Sequence, residues 1–260
     1  MKELVLVDQM NRFVTLSERP KRIVSLVPSL TELLHYFSLD REVVGITKFC
    51  VHPKEWFDSK VRIGGTKNIN LNRIRELNPD LIIGNKEENT ESDIEALSED
   101  FPVWMTDIDG FDDALKMIKG LGTLLGKETF SVRMVDMLHK SYENLGGIGK
   151  GKKVLYLIWD EPTYIAGAST YIGSIIEKLG FVNDCQIERY PSIEVVHPCD
   201  PDYVFLSSEP FPFKSKHIEK YKKQFPNSKV ILVDGEMFSW YGSRMLLAME
   251  YFKTEFFKKL

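Results

Sequence analysis

Long apolar runs are missing from this chain of 260 residues. None approaches the ~20 consecutive apolar residues that a membrane-spanning helix needs. The first residues also lack the basic, apolar and small-residue series of a signal peptide, because Asp8 follows the apolar Leu4–Val7 at once. We therefore expect no membrane span. The sequence as it stands carries no export signal, which leaves a cytoplasmic location open.

Cysteine is scarce as well. Three cysteines, Cys50, Cys185 and Cys199, are too few for a disulfide framework and leave at least one unpaired. Cys50 with His52, and His197 with Cys199, each offer two metal ligands, but neither pair has a partner pair at zinc spacing. We expect loop residues and a half-buried thiol rather than a metal site.

The chain has no long basic run, and its net charge is −4. This balance argues against nucleic acid as a partner. The segment 146–153 resembles a phosphate-binding loop, but it lacks the final Ser or Thr and precedes a strand, so we interpret it as a linker. Of the remaining histidines, His35 is predicted to lie in the core or at its edge, and His139 and His217 on solvated helix faces.

Carboxylates fall near several predicted strand ends: Glu87, Glu88, Glu161, Glu209 and Glu236. Paired acids can act in general acid–base catalysis. No nucleophile motif accompanies them. We expect most of them to be solvated loop residues, and we expect no enzymatic activity.

Two helical patterns occupy the middle of the chain. Apolar residues recur at three- and four-residue spacing from Phe111 to Leu125, and Gly126 is suited to end that helix. A second pattern of about 19 residues ends at Gly146-Gly147 and would span roughly 28 Å. We interpret it as a helical strut between two lobes.

On either side of these helices, predicted strands alternate with predicted helices, which indicates mostly parallel sheets. A hairpin is predicted at 4–7 and 12–16. Further strands are predicted at 22–27, 43–47, 80–84, 103–106, 153–159, 203–207 and 230–233. Helices are predicted at 30–37, 70–77, 91–98, 171–179, 216–225 and 243–257. Ser29 and Glu32 are predicted to form a capping box.

The two halves of the sequence echo each other. Asn78-Pro79-Asp80 precedes a predicted strand in the first half, and Asp200-Pro201-Asp202 precedes one in the second. A charged helix and another strand follow in both cases. Because this pattern occurs only twice, it predicts two similar lobes rather than a solenoid.

Ligands of open parallel sheets bind beyond the carboxyl ends of the strands. In the second half these ends are rich in aromatic residues: Trp159, Tyr164, Phe211, Phe213, Phe238, Trp240 and Tyr241, with Tyr171 and Tyr190 nearby. Such a set suits a large, flat or partly apolar ligand. The alternative for any single ring is that it closes the core of the lobe.

The run from Pro20 to Leu33 resembles the opening of the class III substrate-binding proteins of ABC transporters. Further matches follow in the family's order at 43–46, 70–74, 77–83, 200–202 and 242–248. In this family a single backbone helix joins two lobes, and the ligands are cobalamin, haem and ferric siderophores. The resemblance implies two Rossmann-like α/β lobes with mostly parallel sheets, with bounds 1–110 and 149–260 and a helical segment 111–148.

Within the family, the chain is most similar to the group that binds vitamin B12 and ferric siderophores. Local alignment and the aromatic strand ends imply these ligand-binding residues: Pro28, Phe49, Thr66, Trp159, Tyr164, Tyr190, Glu236, Phe238, Trp240 and Arg244. Thr66 replaces a tryptophan of the vitamin B12-binding group, and Trp240 stands where that group has an arginine.

The family docks its permease through one acidic residue on each lobe. Asn72 occupies the first of these positions, so Glu76, one turn later, is the implied substitute, and Glu194 is the implied residue of the second lobe. The expected function is therefore delivery of a cobalamin-like corrinoid, haem or ferric siderophore to an ABC importer. We expect a periplasmic or cell-surface monomer with no intrinsic cofactor. An intracellular relative acting as a sensor, carrier or enzyme is the alternative.

Overall fold

The computed structural model describes residues 3–145, 147–196 and 200–260. The chain forms two compact units. The first contains the described residues up to Ile108 together with Asp113–Val135 and Tyr241–Ser243, and the second contains Asp109–Asp112, Asp136–Trp240 and Arg244–Leu260. The three-part division inferred from the sequence stays a prediction. Within the described ranges, no helix is both long and apolar enough to cross a bilayer.

The first unit is built around a parallel sheet. Its elements are the strands β1 (Leu4–Val7), β2 (Phe13–Leu16) and β3 (Ile23–Ser25), helix α1 (Pro28–Tyr36), β4 (Val43–Ile46), α2 (Lys54–Ser59), β5 (Val61–Arg62), α3 (Leu71–Leu77), β6 (Leu81–Asn85), α4 (Glu91–Ser98) and β7 (Val103–Thr106). The five-stranded sheet has the order β5-β4-β3-β6-β7 with every pair parallel. Strands β1 and β2 form the predicted antiparallel hairpin.

Two helices follow, α5 (Phe111–Leu125) and α6 (Glu128–Glu143). Gly126, with a φ of +67°, ends α5 in the left-handed region that glycine adopts at no steric cost. Helix α6 has 16 residues, which corresponds to about 24 Å. It is therefore shorter than the sequence pattern predicted. Its residues divide between the two units at Val135 and Asp136.

The second unit repeats the plan. Its elements are β8 (Lys153–Trp159), β9 (Tyr164–Ile165), α7 (Tyr171–Lys178), β10 (Val182–Asn183), a 3₁₀ turn (Ile193–Val195), β11 (Tyr203–Ser207), α8 (Ser215–Gln224), β12 (Lys229–Val233), α9 (Gly235–Ser239) and α10 (Arg244–Tyr251), continued by a π-helical turn (Phe252–Phe256) and a 3₁₀ turn (Phe257–Lys259). Strands β10-β8-β11-β12 are parallel, and β9 pairs antiparallel with β8. The predicted α/β class with mostly parallel sheets is confirmed.

Equivalent aspartates fix the start of the strands in each unit. Asp80 accepts hydrogen bonds from the backbone N–H groups of Lys21 at 2.7 Å and Arg22 at 2.9 Å, which places the beginning of β6 beside the beginning of β3. Asp202 accepts from the backbone N–H of Lys153 at 2.8 Å and from Lys152 Nζ at 2.7 Å, which joins β11 to β8 in the same way. The hydrogen bond from the Lys152 side chain is the largest cause of a lowered pKa of Asp202, and the hydrogen bond from the Lys153 backbone is the next largest. The repeated sequence motif thus has a repeated structural role.

The hairpin covers the open edge of the first sheet. The side chain of Asp8 is fully buried. Its Oδ2 accepts from the backbone N–H of Met105 at 3.1 Å, while Gln9 donates its backbone N–H to Met105 O at 3.3 Å. Arg12 binds Asp8 through Nε and Nη2 at 2.9 and 2.7 Å and donates to Val103 O at 2.9 Å. Backbone groups on the outer side of the edge strand β7 are therefore hydrogen-bonded to the hairpin, which protects the strand from pairing with another chain.

Two local predictions were wrong. Helix α1 begins at Pro28 and has no side-chain cap, so Ser29 and Glu32 form no capping box. Proline fits the first helical position because the missing N–H would have had no helical partner there. His217 is buried rather than solvated. Its Nδ1 accepts the backbone N–H of Lys214 at 2.8 Å at the start of α8.

Four other sequence interpretations concern His35, His139, Gly146, and the pair His197 and Cys199. His35 lies at the edge of the core, with Nε2 3.3 Å from Glu55 Oε1, and His139 is solvated as predicted. The interpretations of Gly146 and of the pair His197 and Cys199 lie outside the described residues.

Replacing Asp8 by alanine should destabilise the first unit. Hydrogen bonds to a charged group contribute about 1.5–3 kcal/mol each, and the substitution removes the anchor of the hairpin. We expect a lower urea midpoint and faster hydrogen exchange at the amide of Met105. Glu18→Gln, which alters an exposed ion pair with Lys21, is the matched control and should change stability by less than ~1 kcal/mol. Equal effects of the two substitutions would contradict this account of the sheet edge.

Gly122 allows α5 to lie directly against the start of α6. A Cβ at this position would overlap Cβ and Oγ of the buried Ser131. Gly122→Ala should therefore cost about 1–3 kcal/mol through overpacking, and adding Ser131→Gly should restore much of the loss. In Gly120→Ala, the new Cβ meets only Trp104 Cζ2 at 3.4 Å. This control should be neutral or up to ~1 kcal/mol more stable. Chemical denaturation of the four proteins tests the comparison, and equal costs at the two glycines would refute it.

Candidate functional site

The carboxyl ends of parallel strands lie along one edge of a sheet, where ligands of open α/β folds bind. In the first unit, a buried polar cluster fixes the loop after β4. The Cys50 thiol lies 3.1 Å from the hydroxyl oxygens of both Thr31 and Thr47. The thiol is fully buried rather than half-buried as expected, and burial raises its pKa. Cys50 therefore fixes the loop after β4 through buried contacts with Thr31 and Thr47.

Phe49, next to this buried cysteine, points its ring outward and is 50% exposed. The ammonium group of Lys48 lies 5.0 Å from the ring centroid. A Cβ on Gly65 would sit 3.2 Å from Phe49 Cε2, so the glycine allows the ring to lie close to the loop after β5. The result is an exposed aromatic surface with a cation at its side.

Two buried asparagines join the neighbouring loops. Asn89 accepts the backbone N–H of Asn85 at 2.9 Å and donates to Thr66 O at 3.1 Å. Asn85 accepts from the backbone N–H groups of Glu87 and Glu88 and donates to Thr106. The predicted residue Thr66, which is partly exposed, thereby has a fixed backbone. Pro28, also partly exposed, follows β3 at the first position of α1.

In the second unit, Trp159 ends β8 and is 41% exposed. Its ring centroid lies 5.7 Å from that of Phe211, in an edge-to-face arrangement that aromatic pairs favour. The following residue, Asp160, accepts from Lys220 Nζ at 2.7 Å and Tyr221 OH at 2.8 Å. Although burial acts to raise it, these hydrogen bonds lower the pKa of Asp160. The ionised carboxylate therefore anchors the loop beside Trp159.

Two predicted tyrosines belong to adjacent segments. Tyr164, in β9, is 38% exposed and forms a backbone bridge with Ser192. Ile165 donates its N–H to Pro191 O at 3.0 Å. Tyr190 precedes this contact and lies with its ring 5.9 Å from the guanidinium of Arg189. The pairing brings Tyr164 and the segment after Tyr190 side by side.

A compact polar group lies beyond β11 and β12. Arg244 is almost fully buried, pairs with Glu236 through Nη1 and Oε2 at 3.2 Å, and lies 5.0 Å from the ring of Trp240. Glu209 accepts from Ser239 Oγ at 2.6 Å and from Trp240 Nε1 at 2.9 Å. The structure thus brings together the predicted residues Glu236, Trp240 and Arg244.

Most of the carboxylates near strand ends were expected to be solvated loop residues, and Glu209 is an exception. It is partly buried, and desolvation, followed by the nearby charge of Glu236, raises its pKa even though Ser239 donates to it. Its position two residues after the buried strand β11 was the signal available in the sequence. The contact with Trp240 depends on α9, which no pattern in the sequence indicated.

Several predicted aromatic residues belong to the core instead. Phe238 is completely buried, with ring centroids 5.2 Å from Tyr156 and 4.9 Å from Phe252. Its ring therefore offers no surface to a ligand, and we do not retain it in the candidate site. Tyr171, Phe213 and Tyr241 are buried as well.

The implied docking residues are on the surface. Glu76 lies 3.5 Å from Arg73 with most of its side chain exposed. Glu194 is exposed in the 3₁₀ turn that Ser192 caps. Asn72 is exposed one turn before Glu76. As for metals, the described part of the chain contains no group of three or more His, Cys, Asp or Glu side chains arranged to hold an ion.

Comparison with known proteins agrees with this architecture. A family model described as periplasmic binding protein matches residues 23–228. The ABC transporter substrate-binding lipoprotein YvrC of Bacillus subtilis (strain 168) is 24% identical over an alignment of 263 positions that covers 94% of this chain and 82% of that protein.

The vitamin B12-binding protein of Pectobacterium carotovorum subsp. carotovorum (strain PC1) is 23% identical over 241 residues, covering 89% of this chain and 86% of that protein. Among solved structures, the periplasmic heme-binding protein RhuT from Roseiflexus sp. RS-1 in apo form has a TM-score of 0.77 at 20% identity, covering 92% and 98% of the two chains. Because the matched region spans more than half of the sequence, the chain belongs to the periplasmic binding protein family.

Proposed function

We propose that this protein is the substrate-binding component of an ABC-type importer and that its ligand is a metal chelate: a cobalamin-like corrinoid, haem or a ferric siderophore. The observation that carries the proposal is the set of half-exposed aromatic rings at the carboxyl ends of parallel strands. Phe49 provides one in the first unit, and Trp159 provides one in the second. Relatives that bind vitamin B12 or belong to ABC transporters support the same assignment.

The aromatic rings are exposed although their loops are anchored. Burying such a ring against a ligand removes apolar surface from water, at roughly 25 cal/mol per Å². Polar groups accompany the rings, including Thr66 in the first unit and Glu236 in the second. A large ligand with an apolar face and a polar periphery satisfies both kinds of surface. Corrinoids have this character, and we place them first among the three ligand classes.

The proposal also concerns chemistry and location. The family consists of binding proteins, and we propose that the ligand is released unchanged and that the protein needs no cofactor of its own. Chromatography of the ligand after long incubation tests the first point, and a product that disappears in Glu87→Gln, Glu161→Gln or Glu236→Gln would indicate a hydrolase.

We propose an extracytoplasmic location. Fractionation of native cells tests it, and protein confined to the cytoplasm would favour an intracellular role.

A thermal-shift titration with cyanocobalamin, cobinamide, haemin and several ferric siderophores should identify the ligand class. A ligand at about 100 times its dissociation constant stabilises the fold by ~2.7 kcal/mol. Removing a central aromatic contact costs about 2 kcal/mol or more, so Phe49→Ala and Trp159→Ala should each weaken binding by about 30-fold or more. Isothermal titration measures these affinities.

Two exposed aromatic residues provide matched controls. Phe130 on α6 is 47% exposed, and Phe257 in the last 3₁₀ turn is 54% exposed, and neither follows the carboxyl end of a strand. Phe130→Ala and Phe257→Ala should leave affinity unchanged. The proposal fails if no compound shifts the melting temperature, or if the control substitutions weaken binding as much as the two site substitutions.

We also propose that Glu76 and Glu194 contact basic residues of the permease. Charge reversal at either position should reduce ligand-stimulated ATPase activity of the cognate transporter in vesicles, because like charges across an interface are repelled. We expect a loss of about 10-fold or more with Glu76→Lys and Glu194→Lys together. Glu219→Lys, at an exposed position on α8, is the control. Full stimulation by the double variant would remove these residues from the interface.

A further inference from the structure

The strongest unassigned feature is the carboxylate of Glu209. It is attached to a rigid segment. Ser207 Oγ accepts the backbone N–H of Glu209 at 3.3 Å and donates to its carbonyl at 2.6 Å. Ser208 Oγ accepts the backbone N–H of Gly235 at 2.8 Å, which joins the loop after β11 to the start of α9.

Gly235 makes this close approach possible. A Cβ at position 235 would lie 2.5 Å from Glu209 Cγ and 2.5 Å from Ser207 Oγ. Glycine therefore permits α9 to approach the loop until Ser239 Oγ and Trp240 Nε1 reach the carboxylate. The backbone on both sides of the contact is thus fixed before any ligand binds.

Both side-chain hydrogen bonds end on the same oxygen of Glu209. Ser239 and Trp240 donate to Oε1 at 2.6 and 2.9 Å. Among the described residues, none donates to Oε2. An ionised carboxylate has about four acceptor positions on its two oxygens. The second oxygen is consequently able to accept a hydrogen bond from a ligand that lies against Trp240.

The charges around this oxygen are mostly negative. Asp234 caps α9 by accepting the backbone N–H of Glu236 at 3.1 Å, and Glu236 pairs with Arg244. Three carboxylates, those of Asp234, Glu236 and Glu209, therefore accompany one guanidinium. A ligand carboxylate placed here meets charge of its own sign, whereas an amide N–H meets an acceptor.

We propose that Glu209 is a specificity-determining residue. It orients Trp240 through Oε1 and presents Oε2 to a hydrogen-bond donor of the ligand, so that the second unit selects neutral, amide-bearing ligands over carboxylate-bearing ones of the same shape. This inference rests on the proposed function, because it assumes that Trp240 lies at the ligand-binding surface.

Matched ligands test the selectivity. Cyanocobalamin is compared with its monocarboxylic acids, in which one side-chain amide is hydrolysed, and haemin dimethyl ester is compared with haemin. For the wild type, at least one acid should bind about tenfold or more weakly than its neutral partner, since like charges are juxtaposed. Glu209→Gln keeps one acceptor oxygen for Ser239 and Trp240, replaces Oε2 by an NH2 donor and removes the charge, so this ratio should fall to about threefold or less. Glu219→Gln, an equal change of charge on an exposed surface of α8, should leave the ratio unchanged.

The orientation of Trp240 has a readout that needs no ligand. The chain has four tryptophans, so a ¹⁵N-correlated NMR spectrum contains four indole N–H signals, and Trp240→Phe assigns the relevant one. Glu209→Ala should shift and broaden this signal and weaken binding of the neutral ligand by about tenfold. Glu209→Gln should keep the signal sharp.

The outcomes separate the two proposals. If the wild type binds none of the tested compounds, the proposed ligand classes and this inference are both refuted. Binding with an unchanged neutral-to-acid ratio in Glu209→Gln overturns the inference and leaves the proposed function standing. An unperturbed Trp240 signal in Glu209→Ala refutes the orienting role by itself.

Discussion

Parallel alignment of the strands is the constraint on which the rest of this structure depends. Each sheet needs its strands to start in register, and Asp80 and Asp202 supply this by accepting backbone N–H groups at the beginning of β3 and β8. Once the starts are aligned, all carboxyl ends lie at one edge. The loops at that edge form the candidate site, and the helices pack against the sheets. The Pro-Asp motif therefore occurs twice because each unit needs an aspartate that aligns the starts of its strands.

Elements with strong periodic patterns were predictable. Helix α4 and strand β8 have the bounds that the sequence indicated, because each combines a clear apolar pattern with turn residues at its ends. Strands β5, β9 and β10 have two residues each. A segment that short has no period to detect, and it becomes a strand only because a neighbouring strand offers backbone groups. Helix α9 (Gly235–Ser239) is also too short to show a period. Its five residues follow the N-cap Asp234.

The candidate site shows where residue type alone is insufficient. Phe238 and Trp240 are both aromatic, lie near the same strand end and are two residues apart. Positions i and i+2 on a helical turn face different directions, so Phe238 enters the aromatic core and Trp240 meets Glu209. His217 illustrates the converse. Its helix is highly charged, but the ring packs 5.5 Å from Phe211 and bonds the backbone of Lys214. The core neighbours of Phe238, Tyr156 and Phe252, are remote in sequence. Those of His217 are close in sequence, but they lie in the loop before α8, where no periodic pattern indicates the contact.

An exposed aromatic ring at a strand end does not pack in a hydrophobic core. In this chain, a neighbouring buried or hydrogen-bonded polar side chain fixes the ring or its loop. Cys50 is buried beside Phe49, Asp160 is bonded to Lys220 and Tyr221 beside Trp159, and Glu209 is bonded to the indole of Trp240. Each anchor fixes the ring or the adjacent backbone and leaves aromatic surface accessible. Pre-organisation of this kind reduces the ordering cost of binding. It also explains why polar residues near the candidate site are partly buried: their hydrogen bonds are made to the loops, and the surface left for a ligand is largely aromatic.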